Sequence, residues 1–64
     1  MKILLHHPAR EAVLKGPKRV GQVLHELDIL PDTVLVIRGN DLIPDDEVVE
    51  DHDTIEVRPV ISGG

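Results

Sequence analysis

The sequence predicts an α+β fold, a mixed sheet of about four to five strands with one helix packed across one face. Three observations lead there. Apolar residues alternate with period two near both ends of the chain, a single stripe at helical spacing lies between them, and 64 residues leave room for one small core.

Each element follows in order. Lys2 to His6 puts Ile3 and Leu5 on one face and Leu4 on the other, as a strand does. Pro8-Ala9-Arg10 reads as a turn and Glu11 to Lys15 as a second strand, so the two make a hairpin that Gly16-Pro17 ends. Val20, Val23, Leu24 and Leu27 stand at i, i+3, i+4 and i+7, one stripe of a short helix with Gln22, His25 and Glu26 facing outward. No Ser, Thr or Asp cap precedes Val20, and Gly21 weakens the first turn. Pro31-Asp32 closes the connection that follows. Thr33 to Ile37 is a β-branched run of strand length, Arg38-Gly39-Asn40 is turn chemistry, and Leu42-Ile43 is a very short strand stopped by Pro44. Asp45 to Glu50 and Asp51-His52-Asp53 read as turns, after which Ile55 and Val57 alternate with Glu56 and Arg58 in the last strand.

A hairpin, a helix and returning strands in so short a chain describe the β-grasp arrangement. The expected inward set is Ile3, Leu5, Val13, Val23, Leu24, Leu27, Leu35, Ile37, Leu42, Ile55 and Val57. Leu4, Val36 and Arg58 then fall on the open face of the sheet and form an expected partner-facing patch. One domain over residues 1–60 and a flexible tail over 61–64 complete the expected organisation.

Composition excludes several functions. The chain has no Cys, so it forms no disulfide and holds no thioester or persulfide of its own. Residues 1–32 carry five Lys/Arg against four acids and residues 33–64 two against eight, giving net charges of +1 and −6. Direct nucleic-acid binding is disfavoured by that balance and by the absence of aromatic residues. No apolar run reaches membrane-spanning length, and His6, His7 and Pro8 interrupt the opening apolar residues too soon for a signal peptide, so a soluble cytoplasmic protein is expected. Constellations for catalysis or metal binding are weak. His6 and His7 alternate faces on a strand, Asp51-His52-Asp53 lacks a second histidine, Asp41, Asp45, Asp46 and Glu47 miss the calcium-loop spacing, and nothing places Ser62 beside His25.

The chain stops on Gly63-Gly64 after an apolar, strand-like run. Two residues without Cβ leave a carboxylate on a thread narrow enough for a tight active site, and from Val60 the tail reaches on the order of 15 Å at 3.3 to 3.6 Å per extended residue. In a chain without thiols, that carboxylate is the one place where sulfur could be held stably.

The order of elements, Pro31-Asp32-Thr33-Val34, Arg38-Gly39-Asn40-Asp41, the segment from Glu50 to Val57 and the terminal Ile61-Ser62-Gly63-Gly64 together resemble the ubiquitin-like sulfur carriers of the ThiS/MoaD type. The resemblance spans essentially the whole chain, is closest over residues 31–64, and lies nearest the carriers that serve tRNA 2-thiouridine formation. His52 stands where these carriers often have Gly in the turn before the last strand, a position histidine tolerates even in the left-handed region. The resemblance implies a protein co-substrate rather than an enzyme, with no stably bound cofactor. Gly64 would be adenylated by a ubiquitin-activating-type adenylyltransferase using ATP and Mg²⁺, with Ile61, Ser62, Gly63 and Gly64 lying in that enzyme's channel. A rhodanese or cysteine desulfurase would supply sulfur, leaving a thiocarboxylate on Gly64 for a downstream thiolation enzyme. An acyl-adenylate can be attacked by an amine as well as by sulfur, so lysines of other proteins stay open as further acceptors. Thiamine thiazole synthesis, molybdopterin synthesis and an unprocessed β-grasp interaction module stay open as alternatives.

Overall fold

A computed structural model describes residues 1–6 and 9–60. The strands are β1 (Lys2–Leu5), β2 (Arg10–Val13), β3 (Lys18–Arg19), β4 (Val34–Arg38), β5 (Asp41–Leu42), β6 (Val48–Val49) and β7 (Thr54–Pro59), with the helix α1 (Val20–Glu26) after β3 and a 3₁₀ turn at Pro31–Thr33. Five of them form the main sheet in the order β2-β1-β7-β4-β5. β1 and β7 pair in parallel at its centre and the other neighbours are antiparallel. A β-grasp fold of this kind wraps the sheet around one helix, as expected.

The core lies between α1 and one face of the sheet. Ile3, Leu5, Ile55 and Val57 from the two central strands meet Val20, Val23 and Leu24 from the helix, and Leu27 packs against them half-buried. Met1, Val36 and Val49 complete the buried set among the described residues.

The helix ends are satisfied in ways its short sequence does not advertise. At the N-terminus the Val20 and Gly21 N–H groups donate to the Glu47 and Asp45 carbonyls at 2.9 and 2.8 Å, so the acidic loop takes the role of a capping side chain. Gln22 Oε1 also accepts from the Arg19 N–H at 3.2 Å. At the C-terminus, Asp28 N–H donates to His25 O and Ile29 N–H to Leu24 O, with Asp28 at φ +61°, which is the Schellman pattern with Asp in the position glycine favours.

Three strands face the opposite way from the sequence reading. Val13, Leu35 and Leu42, expected inside, are 74%, 45% and 65% exposed, and Ile37 is half-exposed on the same side. Ala12, Val36 and Ile43 point toward the core instead. The register shows why: Ala12 lies opposite Ile3 and Val36 opposite Val57, both core residues. Each of these segments carries adjacent apolar residues, so no polar alternation marks the inner face. Val49, fully buried, was expected in an acidic turn; it pairs with Lys18 in a small β3-β6 ribbon. His52 does not use the left-handed region, which among the described non-glycine residues only Asp28 enters.

Candidate functional site

Parity places side chains from every strand of the main sheet on the face away from α1. Leu4 on β1 stands opposite Glu11 on β2 and Glu56 on β7, Leu35 on β4 stands opposite Arg58, and Ile37 stands between Glu56 and Leu42. Leu4 and Ile37 wall a shallow depression of about 290 Å³ with Thr54 and Glu56. The open face therefore carries a charged band on the central strand β7, flanked by Leu4 on β1 and by Leu35 and Ile37 on β4.

That band is ordered. His6 Nε2 and Glu56 Oε2 lie 2.7 Å apart, and Arg58 donates to the same carboxylate through Nε at 3.0 Å and faces it through Nη2 at 2.9 Å. The hydrogen bond from His6 and then the Arg58 guanidinium hold the Glu56 carboxyl below its ordinary value, so it is ionised at neutral pH. Arg58 is thereby fixed over β7 beside Leu35.

Of the expected patch, Leu4 and Arg58 lie on this face. Val36 does not: it is 5% exposed, packed in the core, and Leu35 occupies the outward position beside Arg58. Leu35, Ile37, His6 and Glu56 were not singled out for this face. Had Glu56 and Arg58 on β7 been used as the outward reference and the antiparallel pairing with β4 been known, Leu35 and Ile37 would have followed from parity; the sequence does not supply that register.

At the end of the sheet, Val34 pairs with Pro59, and the Val60 N–H donates to the Thr33 carbonyl at 2.9 Å. The chain is anchored up to that bond. The expected channel segment Ile61, Ser62, Gly63 and Gly64, with Gly64 the expected point of sulfur attachment, lies outside the described residues. Among the described residues no group of three or more His, Cys, Asp or Glu side chains converges as a metal site, and no helix is long and apolar enough to cross a membrane.

Comparison with known proteins adds to this geometry. The sequence matches the ThiS family over residues 3–64. It is also 40% identical, over 65 aligned residues covering the whole of both chains, to the sulfur carrier protein TtuB of Thermus thermophilus. The chain belongs to the ThiS family. The match of this ThiS-family chain extends through β7 and the terminal glycines, so the open face and the exit at Val60 both lie within the shared region.

Proposed function

We propose that this ThiS-family chain is a sulfur carrier and that Gly64 is where the sulfur is attached. The observation that carries the reading is the full-length likeness to a protein named a sulfur carrier, TtuB. It agrees with a chain that has no cysteine and ends in two glycines.

The chemistry is set by the carboxylate. A terminal carboxyl with an ordinary pKa of about 3.3 to 3.7 is ionised at neutral pH and has no usable leaving group. Attack of its oxygen on the α-phosphorus of ATP, on an adenylyltransferase that supplies Mg²⁺, releases pyrophosphate and makes AMP the leaving group. The terminal sulfur of a persulfide on a rhodanese or cysteine desulfurase then displaces AMP and forms an acyl disulfide. A thiol cleaves that S–S bond, supplying two electrons and leaving the thiocarboxylate on Gly64. The carrier contributes the reactive end and the recognition surface; it is a co-substrate with no stably bound cofactor, and its partners perform the catalysis in the cytoplasm.

The open face, with Leu4, Leu35, Ile37 and Arg58, is the surface that docks on the activating enzyme while Ile61 to Gly64 enter its channel. Apolar side chains on either side of an ordered charge pair offer such an interface both buried area and orientation. The carried sulfur goes to a thiolation enzyme forming 2-thiouridine in tRNA, with target-protein lysines as additional acceptors of the activated carboxyl group.

Deleting the gene and digesting bulk tRNA to nucleosides tests the destination. Loss of 2-thiouridine derivatives, restored by the wild-type gene but not by one lacking the codons for Gly63 and Gly64, is expected. Intact thiolation combined with a requirement for added thiamine would redirect the sulfur to thiazole synthesis.

A further inference from the structure

Where β7 runs out, a shallow cleft lies against the edge of the core. It has a volume of about 350 Å³ and is floored by Leu5, Ile29, Val34 and Val57. Val60 forms part of its lip, held by its bond to Thr33. The residues that the proposed partner would receive follow directly in sequence from this lip.

Charge at the rim is one-sided. Arg10 is the one charged side chain among the Asp, Glu, Lys and Arg residues to line the cleft, in a chain whose net charge is −5 with histidine neutral. The acids nearest in the sheet are already engaged: Glu11 faces Lys2 at 3.7 Å, and Glu56 is held by His6 and Arg58. The exposed Arg10 guanidinium has no acidic partner among the described residues. An aliphatic floor beside an unengaged guanidinium fits an aliphatic or aromatic side chain next to a carboxylate, which Arg holds through two parallel hydrogen bonds.

We propose that the enzyme receiving the tail seats an apolar side chain, flanked by an Asp or Glu that pairs with Arg10, in this cleft. The inference rests on the sulfur-carrier reading. It adds a contact at the root of the tail that is separate from the open face, because Leu5, Val34 and Val57 lie on the helix side of the sheet. Such a contact fixes the direction in which the tail leaves the domain, and its charged part makes association sensitive to salt.

The test measures pyrophosphate exchange by the ubiquitin-activating-type adenylyltransferase from the same genome, with wild-type carrier, Arg10→Glu and, as a control, Arg19→Glu. Both substitutions change net charge equally, and both positions are exposed. Arg10→Glu is expected to raise the KM for the carrier about tenfold or more with kcat unchanged, and Arg19→Glu to shift KM less than about twofold. Equal effects of the two variants would overturn the proposal. A photoreactive residue installed at position 10 should crosslink to an enzyme peptide containing an apolar residue beside Asp or Glu; a crosslink to a basic peptide would also overturn it. If wild-type carrier with an intact terminus supports no exchange, the sulfur-carrier reading fails and this inference with it. Exchange by the wild type that is indifferent to Arg10→Glu removes the inference alone.

Discussion

Leu35 and Val36 are adjacent on β4, and a carboxylate at one has a different consequence from a carboxylate at the other. Val36 sits against Val57 in the core, so Val36→Asp buries an unpaired charge and costs more than about 3 kcal/mol, much of the stability of a domain this small. Leu35→Asp places the charge in solvent beside Arg58 and costs less than about 1 kcal/mol. Circular dichroism at room temperature should show the first variant largely unfolded and the second native. Loss of structure in the second with retention in the first would invert the parity of β4. Glu56 offers a second check at this scale. Its carboxyl is held by His6 and Arg58 below the ordinary 4.5, so the proton binds more readily in the unfolded chain. The contribution favours the fold above that value and is lost as pH falls through the depressed folded one. Urea denaturation between about pH 5 and pH 3 should show a shallower loss of stability for Glu56→Gln than for wild type; equal slopes would mean that the cluster does not bias the carboxyl group.

Among the elements, α1 is the one whose boundaries depend most on its surroundings. Asp28 closes it in the left-handed region, where a residue with a Cβ is strained, so Asp28→Gly should raise stability by about 0.5 to 1 kcal/mol in thermal or urea melts. A decrease would show that the Asp side chain contributes more than the strain costs. Gly16 marks the opposite case. A Cβ there would sit 2.9 Å from the Asp51 nitrogen and 3.0 Å from the Val49 oxygen, both backbone atoms, and the Gly16 N–H donates to Asp51 Oδ1 at 2.8 Å. Gly16→Ala is therefore expected to destabilise by about 1 to 3 kcal/mol, measured in the same melts. Elements with strict alternation or a clear helical stripe were legible from sequence: β1, β7 and α1 bury the residues their periods indicate. Parity was not legible where apolar residues are contiguous, as in Val34 to Ile37, Leu42-Ile43 and Ala12-Val13, because either face is chemically acceptable until a partner strand fixes the register. The β3-β6 ribbon was hidden for another reason: two-residue strands are too short to carry a period, and Val49 is flanked by acids that read as turn.

For the whole molecule, the proposed function divides the work between the folded domain and the residues beyond Val60. The family and the β-grasp fold were legible because residues 31–64 combine the strand order with Gly63-Gly64, whereas the make-up of the open face was only partly legible because it inherits the parity of β4. If the terminal glycines enter a channel without room for side chains, Gly63→Val should leave the melting temperature within about 1 °C of wild type, since terminal residues add little to the core, yet abolish pyrophosphate exchange. Normal exchange by that variant would remove the channel. The most direct measurement concerns the transferred atom itself. Carrier incubated with its activating enzyme, MgATP and a persulfide donor should become about 16 Da heavier, one oxygen replaced by sulfur, with tandem mass spectrometry placing the increment on Gly64. Sulfur transfer to the acceptor while the Gly64 carboxylate stays unmodified, or undiminished transfer by a carrier lacking both glycines, would contradict the account.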